Sequence, residues 1–77
     1  MDYDRLDSIA EHVAKGDLSE TGVLSTGERL YVGLAANSIE LLEQDNYTIA
    51  EALARLDKDE VDQLVARWRY RGNPKDF

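Results

Sequence analysis

Three segments of the chain repeat one spacing of apolar residues, i, i+3, i+4, i+7. They are Leu6, Ile9, Ala10 and Val13; then Ile49, Ala52, Leu53 and Leu56; then Val61, Leu64, Val65 and Trp68. At about 100° per residue each set falls on one stripe of an α-helix, the pattern of a helix that buries one face and wets the other. A fourth segment, LYVGLAA from Leu30 to Ala36, is apolar on every side, which predicts a helix in the middle of a bundle. Gly33 and Ala36 within it are small enough to let neighbouring helices come close. No segment shows the two-residue alternation of a half-buried strand.

Helix boundaries are marked as well. A capping residue followed three places later by Glu occurs at Ser8/Glu11, Asp17/Glu20, Ser25/Glu28, Asn37/Glu40, Thr48/Glu51 and Asp57/Glu60. In a capping box the first side chain accepts from the N3 amide and the Glu accepts from the cap's own amide, so two otherwise orphan donors are satisfied. The Ser8 pair lies inside the first stripe and is fortuitous. The Ser25, Thr48 and Asp57 pairs stand just ahead of apolar residues in helical spacing, where a cap belongs. Gly16 and Gly72 stand where left-handed C-terminal caps belong, and GNP (Gly72 to Pro74) ends the last helix. Helices are therefore predicted over about 4–15, 26–36, 38–44, 48–56 and 58–71. Residues 17–23 read as a loop holding at most one helical turn, and Gln44 to Asn46 as a tight connection. Asn37 leaves open whether 26–44 is two helices or one bent helix. The predicted fold is all-α, a compact bundle of four to five short helices with helix 26–36 central, forming a single domain over 1–77.

Composition narrows this picture. A chain of 77 residues has a thin core, and chains of this size often add a staple or a partner, so a homo-oligomer is one expectation. There is no cysteine, which excludes disulfides and thiolate zinc sites and fits a reducing compartment. The longest apolar run is Leu30 to Ala36, far short of the roughly 20 residues that span a bilayer. The opening MDYDRLDSIAEH is acidic where a secretory leader is basic and then apolar. The expectation is an untargeted, cytoplasmic chain with no membrane association. Of the net charge of −7, residues 1–62 carry fifteen acids against five bases, whereas Arg67, Arg69, Arg71 and Lys75 face only Asp76. An acidic body disfavours nonspecific binding to nucleic acid or anionic membranes.

Candidate chemistry is sparse. LSTGER around Ser25 lacks the strand, the several glycines and the Lys-Ser/Thr of a phosphate loop. A nucleophilic Ser25 needs a base, and the chain's one histidine, His12, lies in another helix. STGE is a helix start. His12 has no second His or Cys at ligand spacing and reads as a surface or boundary residue. DKDEVD (Asp57 to Asp62) crowds four carboxylates, but a calcium loop needs glycine at its sixth position, where Asp62 stands. Acids in a first helical turn instead meet the macrodipole favourably. No catalytic residue, cofactor or metal is expected, and the chain is not read as an enzyme. The basic end RWRYRG interleaves arginines with aromatics, as phosphate-binding surfaces and protein hot spots do. Trp68 completes an apolar stripe and is assigned to the core. A protein-binding face is accordingly placed on Arg67, Arg69, Tyr70 and Arg71, with Asp57, Asp59, Glu60 and Asp62 as an acidic patch opposite it along the helix.

Two resemblances bear on function. YTIAEALARLDKDEVDQLVARWRYRG (Tyr47 to Gly72) resembles a helix-turn-helix of the excisionase-like kind, a family whose second helix enters the major groove by its N-terminal residues. The chain departs from that pattern at Leu56-Asp57, where glycine is usual, and at Asp57, Asp59, Glu60 and Asp62, which repel phosphates. LSTGERLYVGLAAN with Leu41-Leu42 and YTIAEALARL, about residues 24–56, is similar to small uncharacterised proteins of proteobacterial phages and prophages. That resemblance implies an accessory protein that binds and modulates or inhibits a host protein. The expected function is a non-enzymatic protein-binding module. The alternatives are DNA binding through the helix-turn-helix-like segment and acidic mimicry of nucleic acid.

Overall fold

The structure, a computed structural model, describes residues 1–69. Five helices succeed one another along the chain: α1 (Tyr3–Ala14), α2 (Thr26–Ala35), α3 (Ile39–Gln44), α4 (Ile49–Arg55) and α5 (Lys58–Trp68), with a 3-10 turn (Thr21–Val23) between the first two. No strand occurs among the described residues. Helix α2 packs against each of the other four and so sits at the centre of an all-α bundle.

Why the helices begin where they do is a matter of orphan amides. Ser25, Thr48 and Asp57 each form a complete capping box, their side chains accepting from Glu28, Glu51 and Glu60 N–H while those carboxylates accept from the cap amides. Asp2 caps α1 by accepting from Arg5 N–H. Two of the anticipated boxes are absent. Asp17 accepts from Ser19 N–H, two residues on, in an Asx turn rather than a helix cap. Asn37 does not cap α3; Ser38 does, accepting from Leu41 N–H.

Asn37 ends α2 instead. Its φ of 53° is left-handed, as are the φ of 93° at Gly16 and of 60° at Asn46. Around each, the same two bonds close the helix. Asp17, Ser38 and Tyr47 donate to the carbonyls of His12, Gly33 and Leu42, while Gly16, Asn37 and Asn46 donate to those of Val13, Leu34 and Glu43. These are three Schellman motifs, one built on Gly and two on Asn. Residues 26–44 are therefore two helices. The expected cap at Gly72 lies outside the described residues.

The stripe of α1 is buried throughout: Leu6, Ile9, Ala10 and Val13 are at most 4% exposed. They meet Leu30, Tyr31 and Val32 of α2, Leu41 and Leu42 of α3, Ala52 and Leu56, and Leu64 of α5 in one core. Gly33 allows α3 to come close, because a Cβ there would stand 2.8 Å from Leu42 Cδ2. The stripes of α4 and α5 are only half covered. Ile49, Leu53 and Val65 are exposed, because no helix among the described residues lies on their outer side. Trp68, assigned to the core by its spacing, is partly buried. The all-apolar segment of α2 is likewise covered only in its first half; Leu34, Ala35 and Ala36 remain partly exposed.

Candidate functional site: a groove anchored on a buried carboxylate

Asp7 succeeds Leu6 on the inner side of α1 and is 3% exposed. Burying a carboxylate is costly unless its lone pairs are matched. Here Oδ1 accepts from Tyr31 OH and from Trp68 Nε1, both at 2.7 Å, and Oδ2 accepts from an Arg67 guanidinium nitrogen at 3.0 Å. One side chain thus ties α1, α2 and α5 together. The same Arg67 nitrogen donates to Asp4 at 2.9 Å and its Nε to Gln63 at 3.1 Å. Its guanidinium carbon lies 5.1 Å from the centre of the Tyr3 ring, within cation–π range, and Tyr3 in turn stands against Tyr31 at 5.5 Å. Burial first, and then the Asp7 hydrogen bond and charge, push the Tyr31 hydroxyl far above the usual tyrosine range.

Trp68 belongs to two structures at once. Its indole N–H is fixed on Asp7, and its ring forms one wall of an open groove of about 700 Å³. Ala14 at the end of α1 and Ala35 and Ala36 at the end of α2 form the apolar remainder, and Glu11, Lys15 and Asn37 add polar groups. A smaller cleft, about 100 Å³, lies between Leu34, Ile39, Leu42 and Ile49 and also reaches Asn37. The apolar end of the central helix therefore opens onto two recesses. The larger is within the size range of ligand clefts, and its aromatic wall is held rigid from behind.

The residues proposed from sequence as a binding face are distributed differently. Arg67 turns inward to Asp4 and Asp7, its side chain 30% exposed. Arg69 is exposed and closes α5. Tyr70 and Arg71 lie outside the described residues. Of the acidic patch, Asp57 and Glu60 serve the capping box, Asp62 pairs with Lys58 at 2.7 Å, and Asp59 is exposed. Ser25 Oγ accepts from Glu28 N–H at the start of a helix. His12 lies at the surface, its Nδ1 2.5 Å from Glu20 Oε1, with Asp17 nearby.

Sequence reasoning missed Asp7 and the groove. One signal was available: a tyrosine inside an otherwise apolar central segment needs a partner for its hydroxyl. Nothing in the local pattern says which of sixteen acids supplies it. No protein-family model, curated protein or solved structure matches this chain.

Proposed function

We propose that this chain is a non-enzymatic protein-binding module whose groove at the C-terminal end of α2 takes apolar side chains from a partner protein. The observation that carries this reading is the Ala14, Ala35, Ala36 and Trp68 surface, left uncovered among the described residues, with the indole held in place by Asp7. A rigid aromatic anchor beside small residues is the kind of surface on which binding hot spots form. The side chains with the most obvious chemistry are engaged in holding the fold: Ser25 in a cap, Arg67 in the Asp7 cluster. The likeness to phage and prophage proteins makes a host protein the natural class of partner.

The test is capture from a bacterial lysate with three baits: the native chain, Ala36→Arg, and Arg69→Ala/Arg71→Ala. Arginine suits a helix C-terminus, so Ala36→Arg fills the groove while leaving α2 intact. Arg67 is left unaltered because its loss would disturb the core. A protein retained by the native chain and the arginine-deleted bait but lost with Ala36→Arg supports the groove. Equal retention by all three refutes it, and loss with the Arg69/Arg71 bait alone moves the contact to the basic end of α5.

A further inference from the structure

The turn after α1 gathers a set of donors that the groove does not use. Nδ1 or Nε2 of His12 and one carboxylate oxygen each from Asp17 and Glu20 all lie within 4.8 Å of one another. We propose that His12, Asp17 and Glu20 form a surface site for a divalent transition cation, with Zn²⁺ the ion of choice and water completing its coordination.

The backbone brings these three together. Gly16, at φ 93°, reverses the chain, and Asp17 N–H donates to the His12 carbonyl at 3.0 Å, which sets position 17 against position 12. Asp17 Oδ1 accepts from Ser19 N–H at 3.0 Å, orienting that carboxylate. Thr21 then donates to the Leu18 carbonyl through both its N–H, at 3.1 Å, and its hydroxyl, at 2.8 Å. That second turn returns Glu20 to the imidazole. Among the described residues no Lys or Arg forms an ion pair with Asp17 or Glu20. Two carboxylates thus converge on one imidazole without a fixed cation to balance them.

The donor set chooses the ion. One nitrogen and two carboxylate oxygens suit Zn²⁺ and its transition-metal neighbours, whereas Ca²⁺ takes six to eight oxygens and Mg²⁺ a near-ideal octahedron. Ligands about 2.0–2.2 Å from Zn²⁺ in a tetrahedron stand roughly 3.4 Å apart, so the His12–Glu20 contact, now 2.5 Å, must open for the ion to enter between them. The His12 and Glu20 side chains, 48% and 47% exposed, have the freedom to do so. This site is independent of the groove and of its partner.

Calorimetric titration of Zn²⁺ into the full chain, free of any histidine tag, tests the proposal, with Mg²⁺ as the comparison ion. One saturable Zn²⁺ per chain is expected, with Mg²⁺ far weaker. His12→Gln and Asp17→Asn, the second of which keeps the Asx turn, should each weaken Zn²⁺ by about tenfold or more without changing the helical circular dichroism. In the native chain the His12 ring resonances should move in step with Zn²⁺ occupancy. Absence of saturable binding, unaltered affinity in His12→Gln, or ring resonances indifferent to the metal would each overturn the site.

Discussion

A carboxylate shielded from water stabilises a fold only while every lone pair it presents is answered, and the groups that answer Asp7 come from two other helices. Without Asp7 the Tyr31 hydroxyl and the Trp68 N–H lose their acceptor, at about 1–3 kcal/mol for each buried donor left unmatched, whereas Arg67 keeps Asp4. Asp7→Ala should therefore take most of the stability of so small a domain, and urea denaturation would measure it. Tyr31→Phe removes a single hydrogen bond and is expected to cost about 1 kcal/mol. The tyrosine also titrates. Its pKa in the folded chain lies above the ordinary value of 10.0, mainly through burial. The proton is thus held more tightly when folded, so this contribution is complete below about pH 10 and is lost as pH rises beyond it. Stability measured from pH 9 to 11 should fall in the native chain, and less steeply in Tyr31→Phe.

Among the elements, starts and stops differ in how well they can be read. Three N-terminal boxes, at Ser25, Thr48 and Asp57, are visible in the chain because a hydroxyl or acid followed by Glu before apolar residues has one good use. Asparagine is ambiguous: it caps helix starts and also tolerates the left-handed turn that ends them. Asn37 and Asn46 take the second role, and only the placement of Ser38 as the next cap decides the matter for Asn37. Asn37→Gly should leave the melting temperature unchanged or raise it, whereas Asn37→Ala, forced to the same positive φ, should cost about 1 kcal/mol. The boxes carry a pH signature of the opposite sign to Tyr31. Glu28 and Glu51 are held below the ordinary 4.5, chiefly by hydrogen bonds from the Ser25 and Thr48 amides. Their contribution is present above that value and fades as pH falls below it. Acid melts between pH 5 and 3 should be shallower in Glu28→Gln than in the native chain.

For the whole molecule, size sets the terms. Among the described residues, five short helices leave Ile39, Ile49, Leu53 and Val65 exposed and the end of α2 open, since a thin bundle has too few elements to cover every apolar face. Charge then bears on partners: the start of α5, with Asp57, Asp59, Glu60 and Asp62, opposes a phosphate backbone. Mixed duplex DNA titrated at low salt should show no binding; affinity falling steeply with added salt would favour the helix-turn-helix reading instead. Ala36→Arg should melt at the native temperature even as it blocks the groove, a separation of stability from binding that differential scanning calorimetry can check.

Periodicity and capping are local, written within a few neighbouring residues, and so the chain alone determined an all-α fold, the buried face of α1, the central place of α2 and most helix starts. The groove proposed as a binding surface was not legible in that way. Asp7 meets Tyr31 across 24 positions and Trp68 across 61, and Arg67, which by pattern belongs to a basic face, is drawn inward by the acids of α1. Which apolar residues stay uncovered depends on how many helices surround them. Contacts between distant residues, and the gaps they leave, exist only once the helices have packed.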